Sequence, residues 1–154
     1  MTKANLRQAE KLHVGWRERV SLADLGLVEI NAKIDTGART TALHASNIRR
    51  FERDGAPWVE FLSDHGRTGQ TDLCTAPVHH LRKITNTSGK PEQRFIIATP
   101  LQIGARTQLV EVSLADRTEM SYPIIIGRTA LRQLRLLVDP SRSWLMPPDK
   151  TRNP

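Results

Sequence analysis

The chain has 154 residues, enough for one domain that buries about 68–70% of the surface its unfolded form exposes. With 23 Lys and Arg against 16 Asp and Glu it carries a formal charge of +7, which favours an acidic partner: nucleic acid, an anionic surface or a glutamate-rich peptide. Cys74 is the single cysteine, which excludes an intramolecular disulfide; no apolar run approaches the ~18 residues of a membrane helix and no secretory signal is read at the start, so a cytoplasmic protein with no membrane partner is expected.

Residues Thr2 to Leu12 are polar and helix-compatible, and 1–12 reads as an N-terminal arm without a catalytic role. From His13 the pattern turns to β, with Val14, Trp16 and Val20 marking a first strand or hairpin. Leu25-Gly26-Leu27 turns the chain into the run Val28-Glu29-Ile30-Asn31-Ala32-Lys33-Ile34, which delivers Asp35 into a tight Thr36-Gly37 turn. Thr40 to Ile48 continue as extended chain or a short turn. Asp54-Gly55, between Ile48–Phe51 and Trp58–Leu62, is a hairpin signal. A further turn is expected at Asp64-His65-Gly66-Arg67. Extended segments follow at Thr71 to Val78 and Arg94 to Thr99, separated by a turn-rich linker from Thr85 to Pro91. Ile103-Gly104-Ala105 turns into Gln108–Leu114, a strand of period 2. Tyr122 to Ile126 is an apolar strand ending at Gly127-Arg128. It runs into an amphipathic stretch, Thr129 to Val138, in which Ala130, Leu134 and Leu137 share one helical face. Many short strands and one late helix predict an all-β closed barrel over 13–146, with 147–154 as a disordered tail.

Asp35 is the candidate catalytic residue. Peptide hydrolysis by carboxylates needs two of them sharing one proton, so that one deprotonates a water while the other donates to the scissile carbonyl. The chain has one Asp-Thr-Gly. Asp54-Gly55 and Asp64-His65-Gly66 lack the Thr and the apolar strand before the Asp, so they read as surface turns. A catalytic Asp35 therefore requires Asp35 of a second subunit across a two-fold axis, making the protein a homodimer. Gly37 allows the backbone to approach the carboxylate and offer its N–H, and Thr36 can bond across the axis. In the pepsin-like enzymes that this loop resembles, a hydroxyl residue after the Gly often bonds the aspartate and stabilises its charged form; Ala38 offers none, so the resemblance implies activity near neutral pH.

The strand-Asp35-Thr36-Gly37-Ala38 segment, taken with Ile124-Ile125-Ile126-Gly127-Arg128, resembles the retropepsin family of homodimeric aspartic peptidases. The wider text resembles the bacterial retropepsin-like proteins labelled "ATP-dependent zinc protease", including RimB-type proteins associated with the RimK glutamate ligase. The resembling stretches are Val14 to Glu18, Ala32 to Ala45, Phe51 to Phe61, Ala76 to Val78, Leu114 to Leu131 and Val138 to Ser143. The resemblance implies a single-lobe acid protease fold with Asp35 catalytic, a supporting loop of Thr36, Gly37 and Ala38, and Ile125, Ile126 and Gly127 in the second segment. Viral retropepsins carry an acidic residue two positions after the Gly, where it pairs with the Arg that follows the second Gly; here Arg39 stands there. Arg128 thus lacks that partner. Arg39 and Arg128 are the candidate substrate-binding residues, selecting an acidic peptide such as a glutamate-extended protein tail. The alternative is that Arg39 pairs with a surface carboxylate. A flap closing over the peptide is also implied, either the Asp54-Gly55 hairpin or the Asp64 to Gly69 loop.

Other chemistries find less support. The five histidines form no His-Glu-x-x-His, and Cys74 has no second cysteine at ligand spacing. Cys74 with His79 and His80 is the one cluster near ligand spacing, yet adjacent histidines on a strand point to opposite faces, so no metal and no cofactor are expected. No Walker loop precedes a Lys-Ser/Thr pair, so ATP dependence has no footing. Cys74 reads as a buried thiol. The basic residues (Arg17, Arg19, Arg49, Arg50, Arg82, Lys83, Arg132 and Arg135) are scattered and lack interleaved aromatics, so they read as a solvated basic surface and a nucleic-acid platform is not expected. The competing function is a non-catalytic basic module on the same fold, binding ribosomal protein or RNA.

Overall fold

A computed structural model describes residues 6–64, 71–85, 88–116 and 121–147. Its centre is a closed barrel of six strands. In barrel order these are β10 (Arg106–Ala115), β4 (Thr41–His44), β11 (Ile124–Ile126), β3 (Leu27–Ile34), β2 (Arg17–Leu22) and β9 (Pro91–Ile103), which closes on β10. Closure removes the free sheet edges that an open sheet of this size exposes. The all-β barrel read from the sequence is therefore the observed fold.

Alternation explains why these segments are strands. In β10, Val110, Val112 and Leu114 are buried at period 2. In β3, Ile30, Ala32 and Ile34 point inward while Lys33 faces solvent. Leu27 is also fully buried although it is out of phase with Ile30. A bulge resolves this: the β2–β3 register shifts between Val20 and Leu22, Glu29 has φ 51°, and its N–H donates to Ser21 Oγ at 3.0 Å.

A second layer consists of β5 (Ser46–Arg53), β6 (Ala56–Asp64) and β7 (Thr71–Pro77). The β5–β6 connection is Asp54-Gly55 with φ 52° and 77°, two left-handed residues that match the twist of a tight hairpin. Val59, Phe61, Cys74 and Ala76 from this sheet join the barrel interior in one apolar cluster. The turn at residues 65–67 lies outside the described residues, and so does most of the 147–154 tail.

Two details depart from the periodicity. The linker before Pro91 is preceded by an unanticipated strand, β8 (His80–Thr85), which pairs antiparallel with the long strand β9. The stretch Thr129 to Val138 is not one helix. Helix α1 spans Arg128–Gln133, Arg135 turns left-handed at φ 55°, and Leu136–Asp139 forms β12, parallel to β1 (Leu12–Gly15). Ala130 and Leu134 are buried as an amphipathic face requires, whereas Leu137 is 41% exposed. Tertiary bonding overrides the helical period here: Leu12 donates to the Arg135 carbonyl at 3.1 Å, and the Arg135 side chain donates to the Ala9 carbonyl. Leu6 packs on the core and the Arg106 guanidinium binds the Glu10 carbonyl, so residues 6–11 are tied to the barrel.

Glu18 closes the other end. It is fully buried, and its carboxylate accepts the N–H groups of Gly15, Leu145 and Met146 at 2.7, 2.9 and 3.0 Å. This clamps the C-terminal segment against the β1–β2 turn.

Candidate active site

Asp35 sits immediately beyond β3, and β4 begins at Thr41. Strand β11 is inserted between them, parallel to β3 (Ile126 beside Ile34) and antiparallel to β4 (Ile124 beside Leu43). Residues 91 positions apart in sequence are thereby stitched together, as when the Arg128 side chain donates to the Gly37 carbonyl at 3.1 Å. Isoleucine at 124, 125 and 126 suits a strand buried on both faces.

Backbone bonds position the loop. Asp35 N–H donates to the Ile126 carbonyl at 2.9 Å, Ala38 N–H to the Asp35 carbonyl at 3.2 Å, and Arg128 N–H to the Ala38 carbonyl at 2.8 Å. Gly37 N–H donates to Asp35 Oδ1 at 2.9 Å, so one carboxylate oxygen is held by the turn it opens. Asp35 is half-buried, and Thr36 and Gly37 are exposed, leaving the acid at the surface rather than inside the barrel. Gly127 N–H donates to the buried Thr41 Oγ1 at 3.1 Å. A side chain at 127 would collide with backbone: its Cβ would lie 2.7 Å from the Thr40 carbonyl carbon and 3.0 Å from the Ala38 oxygen. Close backbone approach is therefore what Gly127 permits.

Arg128 and Arg39 differ. The Arg128 guanidinium, without an acidic residue at position 39, donates to the Gly37 carbonyl. Arg39 is exposed, and among the described residues its side chain has neither an ion pair nor a hydrogen bond. Its carbonyl accepts the Thr129 N–H at 3.2 Å, and it lines a cleft of about 380 Å³ with Thr40, Thr129, His79, Arg82 and Glu111.

The histidines do not behave as consecutive strand residues. His79 lies before β8 begins, in irregular chain where its N–H donates to the Ile96 carbonyl, so its ring comes within 4.9 Å of the His80 ring instead of diverging from it. Their partner is Glu111 rather than Cys74, the donor atoms of all three lying within 4.8 Å of one another. Two imidazoles and a carboxylate suit zinc. Arg82 does not: its Nη2 is 2.7 Å from His80 Nε2 and 3.5 Å from Glu111 Oε2, placing a permanent positive charge among the donors. The arrangement fits an ion-pair network better than a metal centre. Cys74 is elsewhere, buried with its thiol donating to the Leu25 carbonyl at 3.4 Å. Burial, aided by the Asp72 charge, pushes the thiol up to about 11, which leaves it a poor nucleophile.

The sequence named Asp35, its loop, Ile126, Gly127, Arg39 and Arg128. It passes over Thr41 and Glu111 and assigns Arg82 to a solvated basic surface, because the relevance of all three depends on how strands β4, β8 and β10 are brought together. Only the alternating pattern of β10, which sets Glu111 on the face opposite Val110 and Val112, hinted at a surface role.

Residues 13–149 match the family model described as "RimB-like: Retropepsin-like aspartic endopeptidase RimB". Two similar curated proteins are each named "Probable alpha-L-glutamate ligase". The one from Desulfotalea psychrophila is 38% identical over 83% of this chain and 28% of its own length; that from Shewanella pealeana is 36% identical over 88% and 30%. The chain thus spans less than a third of these relatives. A solved structure, the Legionella pneumophila protein Lpg0085 of unknown function, superposes with a TM-score of 0.75 at 26% identity, covering 87% of this chain and 97% of that one. The chain belongs to the RimB-like, retropepsin-like aspartic endopeptidase family.

Proposed function

We propose that the protein is an aspartic peptidase that works as a homodimer, each subunit contributing Asp35, and that it hydrolyses peptide bonds in acidic, glutamate-extended protein tails. The observation that carries this reading is the placement of one Asp-Thr-Gly loop by two strands brought together from distant sequence, with its carboxylate at the surface and one oxygen already bonded to Gly37. A single carboxylate cannot both activate a water and protonate the carbonyl, so the second acid comes from another copy. In that dimer the two carboxylates share a proton, one taking a proton from the attacking water while the other donates to the scissile oxygen.

The substrate class rests on three supports: the excess of positive charge, Arg39 beside the loop, and similarity to segments of proteins named as glutamate ligases. A ligase that adds glutamate and a peptidase that removes it act on one chemical group, which makes a functional link to a RimK-type ligase the natural context. Incubating the purified protein with glutamate-tailed peptides and reading the products by mass tests the proposal. Loss of glutamates that disappears in Asp35→Asn supports it. Processing that survives Asp35→Asn overturns it, and binding without processing in the wild-type protein leaves the basic binding module as the function.

A further inference from the structure

The cleft beside the Asp35 loop has a charge imbalance. Two guanidinium groups, Arg39 and Arg82, and the imidazole of His79 line it, against one carboxylate, Glu111. Glu111 is divided between two partners, His79 Nε2 at 3.4 Å and Arg82 Nη2 at 3.5 Å. Both contacts are long and single, and all three side chains are 35–48% exposed, so neither pair approaches the short two-pronged geometry in which arginine binds carboxylate most strongly. Arg39 faces the same space without a carboxylate of its own among the described residues. Thr40 and Thr129 also line it.

We propose that this cleft is a carboxylate subsite: it takes the side-chain carboxylate of an acidic residue near the scissile bond, between Arg39 and Arg82, while Glu111 is an internal counter-charge that holds Arg82 and His79 in place when no ligand is bound. The assignment rests on the peptidase reading for its place in the reaction, but its charge logic stands on binding alone. Arg39 follows Asp35 by four positions, which limits their separation to about 14 Å, a span that an extended peptide covers in about four residues. The subsite therefore reads a side chain within about four residues of the bond cleaved. The incoming carboxylate forms the paired bonds that Glu111 makes only singly, and it offsets part of the excess positive charge. Arg82 and Glu111 are specificity-determining residues in this scheme.

The test measures binding without turnover. In the full-length Asp35→Asn protein, a fluorescent hexaglutamate peptide and its hexaglutamine counterpart are titrated by anisotropy at fixed salt. Adding Arg82→Gln weakens the glutamate peptide tenfold or more and leaves the glutamine peptide within twofold. Adding Glu111→Gln tightens the glutamate peptide severalfold, a gain that a misfolded variant cannot produce. Arg19→Gln, which removes a charge stacked on Trp144, changes either peptide by less than twofold. The proposal is overturned if the glutamate peptide fails to saturate, if Arg82→Gln affects both peptides equally, if Arg19→Gln matches Arg82→Gln, or if Glu111→Gln weakens binding. Charge-dependent binding in a wild-type protein that cleaves nothing would sink the peptidase reading and leave the subsite standing, whereas glutamate-specific cleavage indifferent to Arg82→Gln would do the reverse.

Discussion

The Asp35 loop and the His79–Arg82–Glu111 group, which shares a cleft with Arg39, are built on opposite principles. The loop is held by backbone bonds of 2.8 to 3.2 Å, to strand β11 and to its own turn, with Gly127 packed so closely that no side chain fits. The side-chain group is held by contacts between partly exposed side chains: ion pairs of 3.4 and 3.5 Å, and the 2.7 Å approach of Arg82 Nη2 to His80 Nε2. Backbone fixed by strand pairing has one geometry, which suits a reacting carboxylate. Long side chains at moderate distance exchange partners cheaply, which suits recognition.

If that contrast holds, damage to the loop is severe and damage to the cluster is graded. Asp35→Asn is expected to lower peptide hydrolysis by roughly 10³-fold with the melting temperature unchanged, since removing an acid–base group costs 10²–10⁴-fold. Persisting hydrolysis by the mutant, read by mass, would break the comparison at its first term. Gly127→Ala forces backbone apart at Thr40 and Ala38, and a loss of about 2–3 kcal/mol in denaturant unfolding is expected along with loss of activity. A variant as stable as wild type would show that the loop is not rigidly packed. Arg39→Glu should reduce cleavage of a glutamate peptide about tenfold while sparing a glutamine one; equal effects on both would return Arg39 to the bulk surface.

Two smaller tests sharpen the exclusions. The raised thiol of Cys74 means that the folded protein keeps its proton where the unfolded chain loses it. Its contribution to stability is therefore complete below pH 9 and is lost as pH rises toward about 11, and alkylation at pH 8 should require unfolding. Reaction of native protein with iodoacetamide at pH 8 would contradict this. Activity should be unchanged by a chelator, because Arg82 already supplies the cation among His80 and Glu111; a chelator-sensitive rate would make that group a metal centre.

How much of the fold is legible in the sequence follows the range of the forces involved. The approach to Asp35, the Asp54-Gly55 hairpin, the β10 strand and the apolar strand ending at Gly127 were legible because period-2 burial and turn chemistry are written within a few residues. The β2–β3 bulge was not, since Leu27 and Ile30 share a face only after Glu29 takes a positive φ. Glu18 reads as one more surface carboxylate until the chain end from Leu145 to Met146 returns to bind it.

The amino-acid sequence by itself determined an all-β barrel and a single Asp-Thr-Gly turn, because those depend on local alternation and turn chemistry; that Gly127 packs against this turn depends on the placement of β11. The tertiary structure alone decided that β11 enters between β3 and β4, that α1 stops at Gln133 so β12 can pair with β1, and that Arg82 and Glu111 meet beside Arg39. Those outcomes join segments distant along the chain, and which distant partners meet is settled by the register and burial of the whole barrel rather than by any one segment's preference.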